Sequence, residues 1–151
     1  MKIVIKRIHI KGEVTEGHLY IDELFVCDTI ENSASCLVPG KYPVSLIKCK
    51  QHSRKMICIS PTSPLNVKRF KTPCDDCPLI EYVGNNTTMP LHCPQLKPGN
   101  GVFGRNDGSI IIGERLCFGC IIHPLAAFDS LFNRIRMSLK RGHSVIIEIN
   151  E

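Results

Sequence analysis

The sequence predicts a mainly β domain of the α+β class: a strongly twisted sheet or partly closed β-barrel, with one amphipathic helix packed on it near the C-terminus and a proline- and cysteine-rich insertion. Three observations carry this prediction. Short runs rich in isoleucine and valine, punctuated by turn-forming residues, recur through the first sixty residues. A single run of helical periodicity stands between Pro124 and Arg141. A chain of 151 residues suits one domain with one core.

Lys2 to Lys11 is an isoleucine-rich strand, and Gly17 to Cys27 (GHLYIDELFVC) reads as a hairpin broken at Asp22-Glu23. Pro39-Gly40 supplies a turn, after which Tyr42, Val44 and Leu46 share one face of a strand. Lys55 to Ser60 (KMICIS) is another strand. From Pro61 to Arg105 prolines recur at 61, 64, 73, 78, 90, 94 and 98, and no helical or strand period persists. A stretch of that length needs something to hold it inside a compact domain.

Order returns at Ser109 to Gly113 (SIIIG), a short apolar strand, followed by Cys120-Ile121-Ile122. Pro124 suits the first position of a helix whose face repeats Leu125, Phe128, Leu131, Phe132, Ile135 and Leu139, and Gly142 can end it in a left-handed conformation. Phe128, Leu131, Phe132, Ile135 and Leu139 are expected to be buried. Ser144 to Ile149 (SVIIEI) makes the last strand. No internal repeat or linker divides the chain, so 1–151 reads as a single domain with an insertion at about 61–105.

Hydrophobic content of 43% and charged content of 22% exclude the disordered and collagenous classes. No apolar run approaches the ~18 residues of a membrane span, and Lys2, Lys6 and Arg7 interrupt the N-terminal run too early for an export signal, so the cytoplasm is the expected location. The formal charge of +5 is spread over the chain except at Arg134, Arg136, Lys140 and Arg141 and, more loosely, from Lys48 to Lys55. Cations late in a helix complement its dipole, and no nucleic-acid motif accompanies them. The overlapping glycosylation acceptor patterns in Asn85-Asn86-Thr87-Thr88 then mark only an exposed loop.

Nine cysteines, an odd number without an export signal, point to reduced thiols or a metal site rather than a disulfide framework. Cys27, Cys49 and Cys58 sit in strand-like runs and read as small buried hydrophobes. Cys74-Asp75-Asp76-Cys77 and Cys117-Phe118-Gly119-Cys120 have the tight spacing of zinc knuckles, with His92-Cys93 between them. The 39 residues separating the pairs exceed ordinary ribbon spacing. The expected structural zinc takes Cys74, Cys77, Cys93 and Cys117, fastening the insertion and leaving Cys120 free.

The segments GHLYIDELFVCDTIEN (17–32), LVPGKYPV (37–44) and IIIGERLCFGCIIHPLAAFDSLFNRI (110–135) together resemble a domain family of unknown function frequent in phage, prophage and Bacteroidetes genomes. Its pattern of Cys-x-Thr-Leu-Glu, Pro-x-Gly-x-Tyr and Gly-Cys-Ile has its counterparts here in Cys27-Asp28-Thr29-Ile30-Glu31, with isoleucine for leucine, in Pro39-Gly40-Lys41-Tyr42, one residue shorter, and in Gly119-Cys120-Ile121. The Gly-Cys-Ile step is similar to the nucleophile segment of L,D-transpeptidases, which cross-link or trim peptidoglycan stem peptides through a cysteine acyl-enzyme. That resemblance implies Cys120 as nucleophile. The histidine that the pattern carries on the upstream strand and directly before Gly-Cys is missing: Val102 to Leu116 has none, and Phe118 fills the adjacent place. His123 or His92 would have to serve as base.

The resemblance therefore implies a small phage-type domain, degenerate or binding-only, whose partner is a peptidoglycan peptide or a phage or host protein, acting in a bacterial host or on a virion. The other reading is a structural or interaction protein, such as a virion component, with a zinc-stapled loop.

Overall fold

The computed structural model describes residues 1–49, 53–60, 79–84, 87–92, 94–102 and 107–151. Among these the strands are β1 (Lys2–Lys11), β2 (Val14–Ile21), β3 (Leu24–Asn32), β4 (Gly40–Cys49), β5 (Arg54–Ile59), β6 (Leu79–Gly84), β7 (Thr87–His92), β8 (Gln95–Pro98), β9 (Ile110–Cys117), β10 (Cys120–Ile122) and β11 (Ile146–Asn150), with the helix α1 (Pro124–Lys140) between the last two. The expected fold class holds. The strands run β9-β3-β2-β1-β11-β4-β5-β8, and β8 pairs back onto β9, so eight strands close a barrel. β10 is added outside the ring, on β9, and β6 and β7 pair in a separate hairpin.

Alternation decides what fills the barrel. Ile3 and Ile5 on β1, Leu19 on β2, Cys27 on β3, Val44 on β4, Ile110 and Ile112 on β9, and Ile147 and Ile149 on β11 belong to one buried cluster. Phe128, Leu131 and Ile135 of the helix join it. The β2–β3 turn is tight because Asp22 and Glu23 both take positive φ, 50° and 69°, as a two-residue hairpin turn matched to strand twist requires. Gly142, at φ 78°, ends the helix, and its N–H donates to the Leu139 carbonyl at 3.0 Å. Arg7 and Glu31 form a buried ion pair at 2.8 Å, and Arg7 also donates to the Leu37 carbonyl. Nη2 thus serves both the carboxylate and a backbone carbonyl.

Two expectations change. The stretch 61–105 is not without strands: β6, β7 and β8 lie in it, and β8 completes the ring through Leu96↔Ile110 and Ile57↔Leu96. Four residues ending in proline (QLKP) are too few to display a period. On the helix, Phe132 and Leu139, expected to be buried, are packed on the core only in part, and Leu125 of the same apolar face is exposed at 60%.

Truncating Phe128, fully buried, should cost about 3 to 5 kcal/mol, and Phe132→Ala clearly less, in urea denaturation. A larger loss at Phe132 would reverse the assigned face. Burial pushes the Cys27 thiol up from 9.0 to about 12, its neighbour Asp28 adding to the effect. The unfolded thiol ionises first, so this contribution is intact below about pH 9 and is lost as pH rises toward 12. Stability measured at pH 8 and pH 10 should fall between the two, and should fall less in Cys27→Ala.

Candidate functional site

The candidate site is the β9–β10 hairpin, which leaves the barrel wall and folds over its outside. Up to Ile112, β9 lies between β3 and β8. Beyond Gly113 it pairs with β10 instead: Glu114 faces Ile122, Arg115 faces Ile121 and Cys117 faces Cys120. Gly113 makes this departure possible. A Cβ there would collide with the Ile121 side chain and lie 2.8 Å from the Ile122 carbonyl oxygen.

Apolar and polar contacts together fasten the hairpin to the barrel. Ile121 joins Ile30, Val102 and Ile111 in a second buried cluster flanked by Val14. Ile30 and Ile111 alternate with inward-facing neighbours, so this cluster lies on the outer side. The Ile121 N–H donates to the Asn100 carbonyl at 3.1 Å, and the Asn100 side-chain amide donates to the Ile121 carbonyl at 3.3 Å. Glu16, whose side chain is 2% exposed, accepts from Arg115 Nε at 3.1 and 3.2 Å and from the Gly119 N–H at 2.9 Å. An anion buried under the hairpin thus holds both β9 and the turn that follows it.

At the tip, Phe118 and Gly119 connect the two cysteines, and Gly119 takes φ 76°, the left-handed conformation that glycine adopts at little cost. Cys117 and Cys120 are both free and exposed. A hydrogen bond to the Cys120 side chain is the main cause that raises the Cys117 thiol above its ordinary range, with desolvation and the charge of Glu16 acting the same way and Arg115 opposing. Cys27, Cys49 and Cys58 are buried, as strand hydrophobes should be.

His123 follows β10 directly. It is exposed and sits at the N-cap of α1 in a left-handed conformation, φ 52° and ψ 41°. Among the described residues, neither His123 nor another imidazole hydrogen-bonds Cys120; the residue that faces it across the hairpin is Cys117. Cys74, Cys77 and Cys93 lie outside the described residues, so of the expected zinc ligands only Cys117 can be placed. No group of three or more metal-ligating side chains occurs among the described residues.

One polar cluster had no counterpart in the sequence reading. His18 Nδ1 lies 2.9 Å from Asp28 Oδ1, and Asp28 Oδ2 accepts the Arg115 N–H at 2.8 Å. Tyr20 and Phe25 meet the His18 ring edge-on, with centroids 6.3 and 5.4 Å away. Counting back from the turn would set His18 opposite Cys27. A bulge between Leu19 and Tyr20 shifts the register by one, so His18 faces Asp28. Only the alternation of Glu16, His18 and Tyr20 hinted that these side chains share the outer face.

No family model matches the chain, and no curated protein or solved structure matches it. The site is therefore read from its own chemistry.

Glu16→Ala should leave the Arg115 guanidinium and the Gly119 N–H without their acceptor, at a cost of about 1 to 3 kcal/mol. The Gly119 amide should then exchange with deuterium faster, while amides of β1 keep their protection relative to global stability. Unchanged Gly119 exchange would show that Glu16 does not hold the hairpin.

Proposed function

We propose that this chain is a binding domain of the phage-type group that resembles L,D-transpeptidases, retaining the Gly-Cys-Ile step without acyl-transfer chemistry. The observation that carries this reading is the environment of Cys120. It faces a second cysteine across the hairpin where a nucleophilic cysteine needs an imidazole to take and return a proton. The proposed ligand is a peptidoglycan stem peptide or a phage or host protein, met in the bacterial cytoplasm or on a virion.

The test is a pair of measurements on one preparation. Incubation with tetrapeptide stems should give no acyl-enzyme mass increase, and Cys120→Ala should bind peptidoglycan sacculi as the parent chain does. A covalent adduct on Cys120 would overturn the non-catalytic reading.

A second reading, a structural protein whose insertion is stapled by zinc through Cys74, Cys77, Cys93 and Cys117, is favoured by one feature: Cys117 is exposed and reachable by a metal. Metal analysis of protein purified without added zinc should then give about one equivalent, lost in Cys117→Ser. Less than about a tenth of an equivalent would end that reading.

A further inference from the structure

We propose that Cys117 and Cys120 form a thiol–disulfide exchange site, a reduced pair that a low-molecular-weight disulfide such as glutathione disulfide oxidises to an intramolecular bridge. The case begins with register. The two residues face each other across the β9–β10 pair. Directly opposed residues of antiparallel strands have Cα atoms about 4.5 to 5.5 Å apart. A disulfide spans about 4.4 to 6.8 Å between Cα atoms, so this register puts the pair within bridging range.

The frame around the pair is fixed. Gly119 is tied to Glu16, and Ile121 is tied to Asn100 through both of its backbone groups. Both sulfurs are exposed, whereas Cys27, Cys49 and Cys58 are buried, so a soluble disulfide meets the hairpin first. The ring closed by the bridge is very short, and short loops constrain the unfolded chain least. A bridge of that kind adds little stability and is readily reopened, as an exchanging rather than a structural disulfide must be.

Both residues are exposed, so either thiol can attack and the other resolves; Cys120 is taken first. In the first step the Cys120 thiolate bonds to one sulfur of the external disulfide, whose S–S bond breaks, and one thiolate leaves and takes a proton from water. In the second, Cys117 gives its proton to solvent, bonds to the Cys120 sulfur and expels the second thiolate. The protein loses two electrons and two protons, and the external disulfide is reduced to two thiols.

The experiment exposes the reduced full chain to glutathione disulfide, quenches with an alkylating agent and maps tryptic peptides without reduction. Cleavage after Arg115 and Arg134 leaves both sulfurs in one peptide, Leu116 to Arg134, with no other cysteine. That peptide should lose two hydrogen masses and escape alkylation, at least about tenfold faster than Cys27, Cys49 or Cys58 is modified. Dithiothreitol should restore it. Cys117→Ser should instead accumulate glutathione on Cys120, because its resolving sulfur is gone. The proposal is overturned if the peptide is still doubly alkylated after exposure, if glutathione persists on it in the parent chain without closure, or if zinc retained on Cys117 blocks the reaction. None of these outcomes bears on acyl transfer at Cys120, which is tested separately.

Discussion

The architecture turns on one strand with two partners in succession. The first half of β9 is the seam of the barrel, pairing with β3 on one side and with β8 on the other. Its second half abandons both and carries the cysteine hairpin outward. The switch happens at Gly113, where the approach of Ile121 and the Ile122 carbonyl leaves no space for a side chain. The position of the two thiols is therefore set by the closure of the core.

Two buried carboxylates answer the same physical problem on opposite sides of the wall. Inside, Glu31 is matched by Arg7 and both are nearly fully buried, while the Leu37 carbonyl takes a further proton of the guanidinium. Outside, Glu16 is buried only because the hairpin lies over it, and Arg115 and the Gly119 N–H come from that hairpin. A buried charge without its partner is expensive, so removal of the hairpin from the wall would leave Glu16 to be resolvated. Burial of this anion couples the exposed tip to the barrel. Asp28, which joins His18 to the Arg115 backbone, adds a second polar tie on the same face.

Much of this was legible in the sequence. The β1 run, the turn at Asp22-Glu23, the alternation from Tyr42 and the helix from Pro124 all carry local signals, because periodicity and turn chemistry act within a few residues. What escaped was non-local. β8 is four residues long and earns its identity from pairing with β5 and β9, so nothing within QLKP announces it. Helical spacing put Leu125 on the apolar face without showing that this side chain is left uncovered. The Cys117 and Cys120 spacing was visible, but their mutual pairing depends on a hairpin register. The opposition of His18 and Asp28 depends on a bulge that shifts the strand count by one.

The central claim is that the hairpin presents its two thiols outward while the strand cysteines stay inside. Timed iodoacetamide labelling of the folded, reduced chain at pH 8, followed by peptide mapping, tests it most directly. Cys117 and Cys120 should be modified under conditions in which Cys27, Cys49 and Cys58 react only after denaturant is added. Protection of Cys120 in the folded chain, to the level of Cys58, would contradict the account.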